Sequence, residues 1–323
     1  MDRKLTSSVY SFIENHKLFT DAGTVIIVLS GGPDSVFLLH LLAPLHRQGK
    51  LSLIAAHLNH EWRETALRDE QFCSQLCQTL NIPFVCKKLS ELPHIKYNGS
   101  KEEVARKARR IFFEQLAQEH NAQAIALAHH AQDQQETFFI RLLRGASLTG
   151  LTGMKCKEGL YIRPLLETNK AEILSYLHEN ESAYCVDETN ESEAFLRNRI
   201  RKNVLPALHQ ADQRFDESFS ATLKRLHETE DFLEQEALHH FAQLSNYKNG
   251  VLLVDSEKLL SLHSVMRYRC IVHWLCTEKV PFPASQAFFD ELVRFLENDK
   301  KQHQIHHAWK ITKTVSCVSI TRT

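Results

Sequence analysis

The chain has no charge bias, no membrane-length apolar run and no paired-cysteine motif, and each absence closes off a class of function. Lysine plus arginine and aspartate plus glutamate number 39 each, so a nucleic-acid surface has to come from local clustering and not from bulk charge. No apolar run is long enough to cross a bilayer. The first residues, with Asp2, Arg3 and Lys4 ahead of an amphipathic pattern at Val9, Phe12 and Ile13, suit a cytoplasmic protein. The eight cysteines are scattered without a CxxC pair. The closest two, Cys73 and Cys77, stand one helical turn apart beside Phe72, Leu76 and Leu80, which reads as core-facing thiols rather than a redox or iron–sulfur site. Internal repeats and low-complexity tracts are also missing.

The 323 residues, 43% of them hydrophobic, suffice for two domains or for one domain with a large appendage. Apolar runs at 24–29, 51–58, 84–86 and 124–128 alternate with helical periodicity at 36–47, 64–80, 101–119 and 133–144. This rhythm predicts βαβ units, a parallel sheet and right-handed crossovers. After Pro206 the pattern changes. Residues 216–241 read as one charged helix with apolar positions at Leu223, Leu226 and Leu233, and a smaller unit follows. It has a strand signal at 251–254, helices near 264–278 and 285–297, and an extended Thr/Val-rich ending from Trp309.

The segment Ser30-Gly31-Gly32-Pro33-Asp34-Ser35 lies between the first strand signal and the first helix. Two glycines let the backbone turn tightly there, the N–H groups of the first helical turn face the loop, and anions bind such termini. Ser30 and Ser35 add hydroxyls, and Pro33 presets a helical φ where no N–H is needed. Asp34 would repel a phosphate unless a divalent cation lay between them. A Walker loop would instead carry a lysine at this place, and none stands here. The segment resembles the loop of the N-type ATP pyrophosphatases, which cleave ATP between the α- and β-phosphates. The plainer reading is a capped glycine turn.

Two more groups fall where strands should end, the edge at which parallel sheets bind ligands. His57-Leu58-Asn59-His60-Glu61-Trp62-Arg63 collects imidazoles, an amide and a guanidinium that suit a nucleotide base or a substrate. His129-His130-Ala131-Gln132-Asp133-Gln134-Gln135-Glu136-Thr137 sets Asp133 and Glu136 three apart, on one helical face, able to hold an ammonium or a hydrated metal. The same pair could be an N-cap and its capping-box partner, and the two uses are compatible. Basic residues concentrate twice. Lys96, Lys101, Arg106, Lys107, Arg109 and Arg110 face only Glu102 and Glu103, and Arg197, Arg199, Arg201 and Lys202 crowd into six positions. Guanidiniums so spaced fit a triphosphate or an RNA backbone.

In order and spacing these motifs resemble the tRNA(Ile)-lysidine synthetases over most of residues 24–206. Further matching segments are Arg144 to Leu151, Arg163-Pro164-Leu165-Leu166, Asp187-Glu188-Thr189-Asn190 and Arg197-Asn198-Arg199. The resemblance implies an α/β fold, with a Rossmann-like PP-loop ATPase domain over residues 1–212, a helical connector over 213–245 and a small α+β tRNA-binding domain over 246–323. The chain would be the short form of the family, with one appended domain. It implies a ligase that uses ATP and Mg²⁺ to join free L-lysine to the wobble cytidine of a CAU-anticodon isoleucine tRNA, and it is open to a homodimer. By matching position, Ser30, Gly31, Gly32, Pro33, Ser35, His57 and Arg109 would bind ATP and Asp34 the metal. Asp133 and Glu136 would hold lysine, and His129 would assist proton movement. Arg63, Arg106, Arg197, Arg199 and Arg201 would meet ATP or tRNA phosphates. Where the family carries an aspartate, this chain has Gln132, which puts the contact made by that carboxylate in question. The rival readings are a PP-loop tRNA thiolase and a non-catalytic RNA-binding protein. The missing CxxC pair counts against the first, and the presence of Asp34, Asp133 and Glu136 against the second.

Overall fold

The β-branched run at Thr24 forms β1 (Thr24–Val28), and side-chain alternation along it builds the protein's first two cores at once. Val25 and Ile27 join one apolar cluster, and Ile26, pointing the other way, joins a second. Helices therefore cover both faces of the sheet, the arrangement parallel strands need to bury both sides. The structure, a computed structural model, describes residues 3–20, 22–61, 65–92, 101–186, 195–283 and 285–322.

Following β1 come α2 (Pro33–Arg47), β2 (Ser52–Asn59), α3 (Ala66–Leu80), β3 (Phe84–Lys88), α4 (Lys101–Glu119), β4 (Ala124–Ala126) and α5 (Ala131–Leu143). Strand order is β3-β2-β1-β4, continued by the hairpin of β6 (Tyr161–Ile162) and β5 (Lys157–Glu158). All neighbours are parallel except that last pair. One cluster holds α1 (Arg3–Asn15), α2, α3 and α7 (Lys170–Glu179), and the other holds Phe112, Phe113 and Leu116 of α4. The expected α/β class and strand alternation are thus what the chain adopts. The β5–β6 hairpin escapes the sequence pattern because two-residue strands carry no periodicity.

Strand order reverses between β1 and β4: the chain steps outward through β2 and β3, then returns to the other side of β1. The loops leaving β1 and β4 therefore diverge to opposite faces and open a crevice at the carboxyl ends. Past α6 (Leu148–Leu151) and α7, the chain runs through α8 (Leu196–Arg199), a π-helical turn (Ile200–Val204) and α9 (Leu205–Ala211) into the 30-residue α10 (Phe215–Leu244).

Packing divides the chain into two compact units at Leu223 and Lys224, inside α10. In the second unit β7 (Ser245–Lys248), β8 (Val251–Asp255), β11 (Cys317–Arg322), β10 (Trp309–Lys313) and β9 (Gln302–His306) form an antiparallel sheet in that spatial order. Its connections carry α11 (Ser256–Ser261), α12 (Ser264–Thr277) and α13 (Gln286–Glu297). Trp274 and Leu275 of α12 and Phe289, Leu292 and Phe295 of α13 fill its core with Val254, Ile311 and Val318 of the strands. Phe289, Leu292 and Phe295 recur every three residues, which places them on one stripe of the helix.

Arg269 clamps Glu230 with both terminal nitrogens, at 2.9 and 2.6 Å, with side chains only 10% and 12% exposed. Removing Glu230 leaves the buried Arg269 with only Glu234, half-exposed and 3.5 Å away, to balance it. Glu230→Ala is expected to destabilise the second unit by about 3 kcal/mol, read as a lower denaturation midpoint followed by the fluorescence of the buried Trp274. An unchanged midpoint would show that the pair contributes nothing.

Candidate active site

Leu29 is still in the ladder, donating its N–H to Ala56 O at 2.9 Å, and the chain turns immediately after it. Gly31 has φ +85°, and a Cβ there would lie 3.3 Å from both Cys73 Sγ and Cys185 Sγ, so glycine is demanded by conformation and by space. The turn is tied from inside. Ser30 N–H donates to Ser35 Oγ at 3.1 Å, Ser35 Oγ donates to Gly32 O at 2.9 Å, and Gly32 N–H donates to Ser30 Oγ at 3.3 Å. Gly32 is the N-cap of α2, with Pro33 opening the helix and Asp34 in its first turn, where a carboxylate is favoured by the helix dipole. Asp34 pairs with Lys170 Nζ and lies 3.7 Å from His130 Nε2.

The end of β2 adds His57, buried, whose Nδ1–H donates to Leu29 O at 2.8 Å. That bond leaves Nε2 as the acceptor in the neutral ring. Asn59 Nδ2 donates to Glu70 at 2.7 Å. Arg63 lies outside the described residues.

The end of β4 leads into α5, whose N-cap is His130 rather than Asp133. Asp133 is the residue that reaches back, its Oδ2 accepting the His130 N–H at 2.9 Å, so the capping arrangement sits three residues earlier than the sequence pattern places it. Asp133 and Glu136 do share a face. Arg197 spans them, with a terminal nitrogen on Asp133 Oδ1 and Nε on Glu136 Oε2, each at 2.5 Å, and Arg201 Nε reaches Glu136 Oε1 at 2.5 Å. Glu136 is 0% exposed. Burial raises the Asp133 pKa, but His130, then Arg197 and His129, and the backbone bond outweigh it and hold that carboxyl below its ordinary value.

These elements surround a cleft of about 1190 Å³. Of the residues singled out from sequence, Ser30, Gly32, Pro33, Asp34, His57, Arg106, Arg109, Asp133, Glu136, Arg197 and Arg201 line it. Gly31, Ser35, His129 and Arg199 are not among its described lining residues. Gly31 and Ser35 shape the turn from behind, and Arg199 is exposed.

Three further residues line the cleft: Lys170 escapes the sequence reading altogether, and His130 and Gln132 appear there only as members of their motif, without a partner. His130 stands between Asp34 and Asp133, 3.7 and 3.6 Å from their carboxylates. Lys170 opens α7 behind the N-cap Asn169 and brings its ammonium to Asp34. Gln132, at the departure from the family pattern, accepts the Lys170 backbone N–H on Oε1 at 2.9 Å and so ties the start of α7 to α5. The only signal for Lys170 was the capping box Asn169–Glu172, which marks a helix start but not which side chain faces the crevice.

His129 is pushed down to about 4, chiefly by burial, with Asp133 opposing and Arg163, Arg197 and His130 adding to the shift. Its neutral form is the one the fold accepts. The unfolded imidazole titrates near 6.5, so this stabilisation is fully present above about pH 6.5 and is lost as pH falls from there towards 4, with an upper bound of ~3 kcal/mol. Denaturant titrations at pH 7.5 and 5 are expected to show a stability loss that His129→Asn reduces. An equal loss in both proteins would remove His129 as its source.

A family-wide profile described as the PP-loop domain matches residues 1–208. The tRNA(Ile)-lysidine synthase of Clostridium perfringens is 36% identical over 264 residues, covering 78% of this chain and 55% of that one. That of Bacillus subtilis is 33% identical over 301 residues, covering 90% and 63%. The Bifunctional protein TilS/HprT of Listeria monocytogenes is 34% identical over 274 residues, covering 80% and 42%. The chain thus spans about half the length of the curated relatives it matches. Among solved structures, the U34-tRNA thiolase NcsA from Methanococcus maripaludis with its [4Fe-4S] cluster superposes with a TM-score of 0.60 over 70% of this chain and 79% of that one. At 18% identity that match speaks for the fold alone. With a glycine turn after β1, an acidic helix start after β4 and the crevice between them, the chain belongs to the PP-loop domain family, within which its sequence resembles the tRNA(Ile)-lysidine synthases.

Proposed function

We propose that the protein joins L-lysine to C2 of the wobble cytidine of a CAU-anticodon tRNA(Ile), through an adenylated base, with release of AMP and pyrophosphate. The observation that carries this reading is the meeting in one cleft of the glycine turn with Asp34 and the paired carboxylates Asp133 and Glu136, in a chain similar to lysidine synthases. On this reading the cleft would take an anion at the turn and an ammonium at the carboxylates.

The turn and the N-terminus of α2 would bind the ATP phosphates, with Arg106 and Arg109 of α4 lining the same cleft. The C2 oxygen of cytosine attacks the α-phosphorus and pyrophosphate departs. The lysine ε-amine then adds at C2, and the oxygen leaves with AMP. Adenylation is required because a carbonyl oxygen is a poor leaving group. Asp133 and Glu136 would orient the amine. A base must take its proton before it attacks, and His130, between two carboxylates, is better placed for that than His129. No group of three or more His, Cys, Asp or Glu side chains among the described residues is placed to cage a metal. The single carboxylate of Asp34 on the cleft fits Mg²⁺ carried in by the nucleotide. Such an ion would neutralise charge on the phosphates and leave Lys170 without its present partner.

The second unit would hold the body of the tRNA. From Lys300 to the last residue there is no acidic side chain, against Lys300, Lys301, Lys310, Lys313 and Arg322. Lys313 is spent on the carbonyls of Leu296 and Asn298, whereas Lys300 and Lys301 are exposed. Among the described residues no helix is long and apolar enough to cross a membrane, and a tRNA substrate would place the protein in the cytoplasm.

Incubation with a CAU-anticodon tRNA(Ile) transcript, ATP, Mg²⁺ and labelled lysine is expected to incorporate label with one AMP released per lysine. Equal AMP release without the tRNA, or no incorporation, would sink the proposal. Asp34→Ala should lower AMP release by roughly 100-fold or more, and near-normal release would remove Asp34 from the phosphate site. The double change Lys300→Glu, Lys301→Glu should weaken tRNA binding and flatten its dependence on salt by about two phosphate contacts. An unaltered slope would exclude this surface.

A further inference from the structure

The ammonium site of the cleft is already filled, and by this chain's own side chains. The outward oxygen of Asp133 and both oxygens of Glu136 are taken by Arg197 and Arg201. Glu136 is fully buried, and stripping a buried carboxylate of its cation is strongly unfavourable. The guanidiniums cannot simply leave to admit a substrate ammonium. They can only be exchanged for it. The arginines in turn are two-fifths exposed towards the same cleft that the phosphate-binding turn lines, so they need an anion once they let go of the carboxylates, and a triphosphate bound at the turn would supply one.

From this double exchange we infer that Arg197, with Arg201, is an internal occupant of the amine site that ATP displaces, so that ATP and lysine bind with strong mutual coupling and the amine is admitted only beside the nucleotide. The inference rests on the proposed reading of Asp133 and Glu136 as the amine site. It makes Arg197 a specificity-determining residue, since the incoming group must replace a cation on two carboxylates, and a neutral side chain cannot. The local backbone suits the movement. Arg197 and Arg201 stand one turn apart, on α8 and on the π-helical turn that joins it to α9. Passing one residue from π to α register would swing Arg197 by about 100° without unwinding the helix.

Coupling between two ligands is reciprocal, which gives a test on the wild-type chain. Binding of labelled L-lysine is measured with and without saturating α,β-methylene-ATP and Mg²⁺, and binding of the nucleotide with and without saturating lysine. Both affinities are expected to rise by the same factor, roughly tenfold or more, and norleucine is expected to produce no such rise. Arg197→Gln should bind lysine without nucleotide about as well as the wild type does with it, its coupling factor falling towards one. Arg197→Lys, which keeps a cation and guards against misfolding of the first variant, should preserve the coupling. Lysine binding of equal strength with and without nucleotide would overturn the inference and leave the amine site standing. Nucleotide binding with no lysine binding in either state would overturn both. Coupling undiminished in Arg197→Gln would remove Arg197 as the occupant.

Discussion

A fully buried carboxylate in the second turn of α5 is the constraint around which the cleft is arranged. Burying the Glu136 carboxylate calls for matched cations, and the chain supplies two guanidiniums from the helical run at 196–204. That requirement brings α8 and the π-helical turn to α5. Asp133 shares Arg197 and, as the third residue of α5, accepts the N–H of the N-cap His130, so the helix start and the charge balance are settled by one set of contacts. A second ion pair, Asp34 with Lys170, links the glycine turn to α7, and Gln132 pins the backbone from which Lys170 extends.

Behind the charges stands the sheet. The apolar residues of β1 and β2 face two ways and draw helices to both sides, and the reversal of strand order between β1 and β4 opens the space that the charged residues line. The glycine turn is held by its neighbours as firmly as by its own bonds. Gly31 accepts the Cys185 N–H at 2.9 Å and has sulfur atoms where a side chain would go. Cys73, read as a core thiol, is indeed buried on α3, and its position beside Gly31 links core packing to the shape of the glycine turn.

The carboxylates of Asp34, Asp133 and Glu136 are matched by the chain's own cations, Lys170, Arg197 and Arg201. On the proposed reading, an anion and an ammonium would enter together by exchanging partners, with less unmatched charge than either would leave alone. Such an arrangement suits a reaction that joins an amine to a phosphate-activated group better than it suits a permanent binding surface.

Sequence alone determined the first four strands and the helices alternating with them, the glycine turn after β1, and the placing of Asp133 and Glu136 on one helical face. Each is a local property: strand and helix periods, glycine tolerance and i, i+3 spacing lie within a few residues of chain. Tertiary structure alone decided the partners. Arg197 and Arg201 are more than sixty residues from the carboxylates they neutralise, and Lys170 is 136 residues from Asp34. Nothing in local spacing distinguishes a guanidinium that waits for phosphate from one that fills an acidic site. His130 and His129 are neighbours in sequence, yet the turn into α5 places one between two carboxylates in the cleft and the other outside its lining. Which charges meet depends on the strand order and on how buried each carboxylate becomes, and both are set only when the sheet and its helices close together.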